Sequence, residues 1–187
     1  MSKLIQICGL PRSGTAFISV LLSMHPECIA YHELISKEDD YKKVIAESLL
    51  KYKYVADCTT YGFIKDHSNP QSKKVFIDRN ITECLESSKQ AFDIDFNEEE
   101  FKSYQKMSIK WIENNRVYII RFEKLFTIAT LQALWLYCFG SEKYFDEEKV
   151  RQIMGMNIEM INPRKIINDP VIYTRINNQL NLHTCQH

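Results

Sequence analysis

The chain has 187 residues, 45% of them hydrophobic and 26% charged, which predicts one compact globular domain and excludes intrinsic disorder as the main state. Lys plus Arg equals Asp plus Glu at 24 each, so the chain lacks the net positive charge typical of non-specific nucleic-acid binding. No stretch approaches the roughly 20 consecutive apolar residues that span a bilayer, and the first residues do not resemble a signal peptide. We therefore expect a cytoplasmic protein with neither a membrane nor a nucleic-acid partner.

The cysteines and histidines do not form a metal-binding pattern. Six cysteines are spread along the chain without a CxxC pair, and the five histidines do not cluster with them. A structural zinc site needs closely spaced Cys and His ligands. We expect free thiols in a reducing compartment and no bound metal.

Short apolar runs alternate with longer segments of helical periodicity along the chain. This alternation predicts an α/β fold with a central parallel sheet and helices on both faces, in three layers. The predicted strands are residues 4–8, 29–31, 54–56, 74–78 and 117–121, and the predicted helices are 15–24, 39–51, 81–92, 98–113, 129–139 and 146–154. No repeat or linker divides residues 1–187, so we expect a single domain. Residues 157–187 have little periodicity, and we expect a lid or a tail wrapped over that domain.

The first predicted strand and helix are joined by Gly9-Leu10-Pro11-Arg12-Ser13-Gly14-Thr15. Two glycines let the backbone fold around an anion, and the first N–H groups of the following helix have no intrahelical acceptor. The spacing of Gly9 and Gly14 matches the start of the phosphate-loop pattern GxxxxGK[ST]. Thr15 and Ala16 stand where that pattern has its lysine and its Mg²⁺-binding hydroxyl. Ordinary Mg²⁺-dependent nucleotide chemistry therefore lacks two of its parts.

Three motifs in order resemble the sulfotransferases that use 3′-phosphoadenosine 5′-phosphosulfate (PAPS). The run Pro11-Arg12-Ser13-Gly14-Thr15, an apolar helix and His25-Pro26 resemble the family's 5′-phosphosulfate loop. The strand Val75-Phe76-Ile77-Asp78-Arg79, with Ser87 eight residues after the arginine, resembles the segment that grips the 3′-phosphate. The run Ile119-Ile120-Arg121-Phe122-Glu123-Lys124-Leu125 resembles the family's strand followed by RYEDL. The three motifs cover roughly residues 3–126, and the resemblance implies a P-loop NTPase-like fold, PAPS as cofactor and 3′,5′-ADP as product.

The resemblance also implies a set of cofactor-binding residues: Pro11, Arg12, Ser13, Gly14, Thr15, Ala16, Arg79, Ser87, Arg164 and Lys165. Physical reasoning supports Arg79 independently, because an arginine at the carboxyl end of a parallel strand sits where open α/β sheets bind ligands and can form charge-assisted bonds to phosphate. The alternative is a surface salt bridge between Arg79 and Asp78 or Glu83. Arg164-Lys165 is what remains of the RKGxxG loop of the cytosolic sulfotransferases, without its glycines, and is otherwise surface charge.

Sulfuryl transfer to a hydroxyl needs a general base opposite the leaving phosphate. His32 and Glu33 follow the second predicted strand, and Glu33 has a spacing similar to the base of tyrosylprotein and carbohydrate sulfotransferases. We predict Glu33 as the base and His32 as the alternative. A third possibility is that His32 and Glu33 have no catalytic role and only cap Lys37 or interact with solvent. Arg12 and the N–H groups of the turn are expected to stabilise the charge that develops on the bridging oxygen.

One position departs from the family pattern. Many members carry a lysine in a GDKTP-like motif, whereas Ala56-Asp57-Cys58-Thr59-Thr60 has a cysteine there. Either Lys65 replaces that lysine from a loop, or the site works without it, or no transfer occurs. A divergent P-loop nucleotide kinase and a non-catalytic nucleotide-binding module therefore remain alternatives. The acceptor, a hydroxyl or amine of a small molecule, carbohydrate or peptide, is not legible in the sequence.

Overall fold

A computed structural model describes residues 3–34, 40–64, 71–92 and 97–155. Its strands are β1 Lys3–Gly9, β2 Cys28–His32, β3 Tyr54–Thr60, β4 Lys73–Asp78 and β5 Val117–Arg121. They form one sheet in the order β2-β3-β1-β4-β5, and every neighbouring pair is parallel. The predicted central parallel sheet is confirmed.

The helices among the described residues are α1 Thr15–Ser23, α2 Tyr41–Lys51, α3 Ile81–Phe92, α4 Glu98–Glu113, α5 Phe122–Leu125, α6 Ile128–Phe139 and α7 Glu147–Met154. Helices α1, α6 and α7 share one apolar cluster with the sheet, and α2, α3 and α4 form two clusters on its other face. This arrangement is the predicted three-layer α/β/α fold. None of these helices is long and apolar enough to cross a membrane.

Alternation along the strands divides the core between the two faces of the sheet. In β1, Ile5 and Ile7 pack toward α1, while Leu4 and Cys8 pack toward the opposite helices. Helix α1 is apolar on nearly every side and buries seven of its nine residues, because it lies between the sheet and the other helices of its layer. The five described cysteines are buried and none of them is in a disulfide, and Cys185 lies outside the described residues.

Strand β3 is longer than its sequence indicates. The prediction ended it at Ala56, but the strand continues to Thr60. Asp57 and Thr59 resemble a strand end because they are polar, yet both are buried between β1 and β2 and pair with each other. The short helix α5 was not predicted, and the predicted start of α2 at residue 39 and the tail 157–187 lie outside the described residues.

His25, part of the first motif, is packed at the amino-terminal edge of the sheet. Its ring stacks on Phe139 at a centroid distance of 4.2 Å and meets Tyr54 edge-on at 5.1 Å. Its Nδ1 accepts a hydrogen bond of 3.1 Å from the Glu27 amide. The structure thus gives His25 a packing role, at the sheet edge opposite the glycine turn.

Candidate functional site

The ends of four strands bring those predicted site residues that the structure describes to one edge of the sheet. Gly9 at the end of β1 is in register with Thr60 of β3 on one side and Ile77 of β4 on the other. The turn after β1 therefore lies between the ends of β3 and β4. This is the edge at which open α/β sheets bind ligands.

Close packing explains why the turn has glycine at both ends. A Cβ on Gly9 would lie 2.1 Å from the Ser13 Oγ, and a Cβ on Gly14 would lie 2.7 Å from the Leu125 Cδ2. Gly14 also has φ +90°, which L side chains rarely adopt. The Ser13 hydroxyl and amide both donate to the Leu10 carbonyl, at 2.6 and 3.2 Å. Ser13 therefore uses its polar groups to shape the turn.

Two arginines and a serine meet beside this turn. Arg12 Nε donates a hydrogen bond of 3.2 Å to the Ser87 Oγ. The guanidinium of Arg79 donates to the main-chain carbonyl of Arg12 and packs over the Phe122 ring at 4.1 Å. Arg79 Nε also lies 3.4 Å from Glu83, so the salt bridge considered as an alternative exists alongside the contact with the turn. The structure thus brings Arg12, Arg79 and Ser87 into one cluster.

A cleft of about 390 Å³ opens next to this cluster, beyond the ends of β4 and β5. Arg79 and Arg121 line it together with Gln105 of α4, and so do Asp78 and Glu123. Arg121 belongs to the third motif and is in register with Asp78 at the end of β4. Two arginines and two acidic residues therefore border the cleft.

The two candidate bases lie on the other side of the turn, at the ends of β2 and β3. Glu33 Oε1 accepts a hydrogen bond of 2.8 Å from the Thr60 amide and lies 3.5 Å from His32 Nε2. His32 Nε2 also lies 3.4 Å from the hydroxyl of Thr15, the first residue of α1. His32 therefore contacts the first residue of α1, and Glu33 contacts the last residue of β3. Only 9% of the His32 side chain and 16% of the Glu33 side chain are exposed.

Left-handed backbone marks the same edge. Arg12, Glu33 and Tyr61 have φ of +67°, +61° and +60°, and they are three of the four described non-glycine residues with positive φ. They lie in the turns that follow β1, β2 and β3. Such residues cost about 1–3 kcal/mol each and concentrate at functional sites. The sequence carries no local signal for this feature.

Aromatic side chains flank the turn as well. Phe126 is 44% exposed, and its ring meets Phe17 at 5.1 Å and Phe122 at 5.7 Å, both edge-on. Leu125, from the same segment, fills the space beside Gly14. The sequence prediction missed Phe126, although the third motif ends one residue before it.

Cys58 does not contribute to this edge, and three predicted contributors lie outside the described residues. Cys58, at the position of the family lysine, is fully buried in the cluster beneath α1, and burial raises the pKa of its thiol well above the usual range. A neutral thiol in the core cannot replace a lysine at the edge. Lys65, Arg164 and Lys165 lie outside the described residues.

No protein-family model matches the chain. No curated protein matches it either. The likeness to sulfotransferases therefore depends on the three quoted motifs.

Proposed function

We propose that the protein binds PAPS at the glycine turn and transfers its sulfuryl group to a hydroxyl or amine. One observation carries the proposal: the contact of Arg79 with the Arg12 carbonyl, beside the Arg12–Ser87 hydrogen bond. It places the residues of two separate motifs around one position. Guanidinium groups form strong, charge-assisted hydrogen bonds to phosphate oxygens.

The electrostatics of the turn favour an anion. Gly14 is the N-cap of helix α1 and offers no side-chain cap, and the first turn of the helix has no acidic residue, so the positive end of the helix dipole points to the glycine turn. Two of the five N–H donors of Arg79 bind protein oxygens, and Arg79 can therefore bind a phosphate without releasing Arg12. A nucleotide with both 5′ and 3′ phosphate groups suits this distribution of positive charge.

The chemistry assigned to this chain is proton transfer and charge stabilisation. Glu33 accepts the proton of the attacking hydroxyl, since the Thr60 amide holds its carboxylate at this edge of the sheet. Arg12 and the amides of the first turn of α1 stabilise negative charge on the phosphate oxygen that leaves sulfur. PAPS supplies the sulfuryl group and leaves as 3′,5′-ADP. His32 is the alternative base, and its contact with Thr15 holds it beside the turn.

A nucleotide-binding module without transfer is the second candidate. Burial of Cys58 favours it, because the residue at the place of the family lysine cannot assist the leaving group. Such a module would use Arg12, Arg79 and Ser87 in the same way. It would bind the nucleotide as tightly as a sulfotransferase does, but it would not transfer the sulfuryl group.

Thermal unfolding with PAPS, 3′,5′-ADP, ATP and ATP plus Mg²⁺ tests the proposal. A ligand at 100 times its Kd stabilises the folded state by about 2.7 kcal/mol. We expect PAPS and 3′,5′-ADP to raise the Tm, and ATP to raise it less with or without Mg²⁺. Stabilisation by 3′,5′-ADP without transfer to a broad set of acceptors identifies the module. Preference for ATP plus Mg²⁺ identifies a kinase, and no stabilisation by any of the four refutes nucleotide binding at the turn.

A further inference from the structure

The Thr15 hydroxyl, at the start of α1, has a single hydrogen-bond partner within the described part of the chain. Its Oγ1 lies 3.4 Å from His32 Nε2. The other two hydroxyls of the same helix, those of Ser19 and Ser23, each donate to a main-chain carbonyl three residues earlier at 2.7 Å. Thr15 makes no such bond to the main chain, so the direction of its proton depends on His32.

The strand pattern explains why His32 reaches Thr15. Side chains alternate along β2, and Cys28 and Ala30 belong to the apolar cluster that packs toward α1. His32 is the next residue of the strand on that face, and it is buried at the end of β2. Water therefore competes little for this contact, and hydrogen bonds are stronger in such surroundings of low dielectric constant.

His32 Nε2 has a second neighbour that decides which ring nitrogen carries the proton. It lies 3.5 Å from Glu33 Oε1, and the Thr60 amide holds that oxygen in place at 2.8 Å. A carboxylate oxygen only accepts hydrogen bonds, so a bare ring nitrogen beside it would bring two lone pairs together. A neutral His32 ring therefore carries its proton on Nε2, since the partner of a ring nitrogen determines the tautomer.

The proton on Nε2 in turn fixes the direction of the Thr15 hydroxyl. A hydroxyl either donates to a ring nitrogen or accepts from it, and a nitrogen that carries a proton permits only the second. The Thr15 proton then points away from the ring. Thr15 is only 4% exposed, and a buried O–H group without an acceptor is costly. An anion bound at the glycine turn, which directly precedes Thr15, would supply that acceptor.

We propose that His32 is a positioning residue: its Nε2–H group, held by Glu33, directs the Thr15 hydroxyl proton toward the 5′-phosphate group bound at the glycine turn. The inference rests on the proposed function for the identity of that anion. It also separates the two candidate bases. Nε2, the ring atom beside the turn, already carries a proton and cannot accept the proton of the attacking hydroxyl, so the base is Glu33.

The first experiment locates the proton on His32 by ¹⁵N NMR of the histidine rings. Spectra are recorded at pH 8.5, about two units above the ordinary pKa of an imidazole, and the His32 signals are assigned by their absence in His32→Gln. We expect the Nε2–H tautomer in the protein alone and in its complex with 3′,5′-ADP. An Nδ1–H tautomer, in which Nε2 accepts from Thr15, overturns the proposal.

The second experiment is a double-mutant cycle that tests whether His32 acts through Thr15. Isothermal titration calorimetry measures the Kd values of 5′-AMP and 3′,5′-ADP. We expect Thr15→Val to weaken both about 10-fold, because both nucleotides carry the 5′-phosphate. His32→Leu weakens both about three- to ten-fold in the wild type but less than about two-fold in Thr15→Val. Equal effects of His32→Leu in the two backgrounds overturn the proposal.

His32→Gln is the conservative variant, because its amide can place an N–H donor near the position of Nε2. We expect it to recover the affinity for 5′-AMP to within about two-fold of wild type, since the donor is restored. Ser23→Ala removes a hydroxyl at the other end of α1 and is the control that changes neither affinity. A His32→Gln protein that binds as weakly as His32→Leu overturns the proposal. A wild-type protein that binds neither nucleotide refutes the proposed function and leaves the NMR test of His32 standing.

Discussion

The Arg79 guanidinium donates a hydrogen bond to the main-chain carbonyl of Arg12, 67 residues earlier in the chain. Arg12 in turn donates through Nε to Ser87, on the helix that follows Arg79. The end of β4, the middle of α3 and the glycine turn are thereby joined by side-chain hydrogen bonds. Two motifs that are distant in sequence become one candidate site.

Arg79→Ala tests the assignment of Arg79 to the 3′-phosphate. A charge-assisted hydrogen bond contributes about 1.5–3 kcal/mol, so we expect the affinity for 3′,5′-ADP to fall about 10- to 100-fold, and that for 5′-AMP much less. Isothermal titration calorimetry with both nucleotides measures the difference. Arg116→Ala, an exposed arginine just before β5, is the control and changes neither affinity. Equal weakening of both ligands by Arg79→Ala contradicts the assignment.

Glu33→Gln tests the general base. The glutamine oxygen still accepts the Thr60 amide, so we expect normal folding and nucleotide affinity. Loss of a general base lowers the rate by about 100- to 10,000-fold. Single-turnover transfer from PAPS, with 3′,5′-ADP binding measured on the same preparation, separates the two effects. Full turnover in this variant would move the base role to His32, and the matching test is then His32→Gln.

A comparison of Gly14 with Gly140 tests the packing of the glycine turn, with Gly140 as the control position. Both have positive φ, at +90° and +73°, but a Cβ on Gly140 meets nothing within 4 Å, whereas one on Gly14 meets Leu125 at 2.7 Å. We expect Gly140→Ala to lower the free energy of unfolding by about 1–2 kcal/mol through backbone strain alone. Gly14→Ala should cost about 1–3 kcal/mol more because of the overlap. Urea denaturation of both variants measures this difference. Equal losses of unfolding free energy would show that the Leu125 side chain moves aside at no cost.

His25 makes stability depend on pH. Burial lowers the pKa of His25 below its usual value near 6.5, with a smaller opposing effect from Glu27. As the pH falls through 6.5 the unfolded chain takes up the proton first, so the contribution of His25 to stability is present above that pH and lost below it. We therefore expect the destabilisation caused by His25→Gln to shrink between pH 7.5 and pH 5.

The difference between the wild type and His25→Gln is the quantity to follow in urea titrations. Asp57 acts in the opposite direction, because its pKa is raised to about 7 and its contribution to stability is lost as the pH rises from about 4 through 7. That contribution is common to both proteins and cancels in the difference. A difference independent of pH would contradict the account of His25.

Local chemistry explains what the sequence determined on its own. Dense Ile, Val and Phe in β1, β4 and β5 and the helical period of α4 predict these elements, because periodicity reports which side of an element meets the core. The glycine turn is likewise legible, since Gly9 and Gly14 mark positions where a Cβ would not fit. The order of these elements was enough to predict the three-layer fold and to place Arg79 at the end of its strand.

The tertiary structure alone decided how the site is assembled. Asp57 and Thr59 look like a strand end, but β3 continues through them because it pairs with β1 and β2 there, and their side chains bond each other in the interior. The left-handed conformation of Glu33 is imposed by β3, a neighbour that no local window contains. The reach of Arg79 to Arg12 arises in the same way, because the parallel crossover brings the ends of β1 and β4 side by side. The site is built from contacts between residues far apart in the chain, and the local sequence around each residue does not predict such contacts.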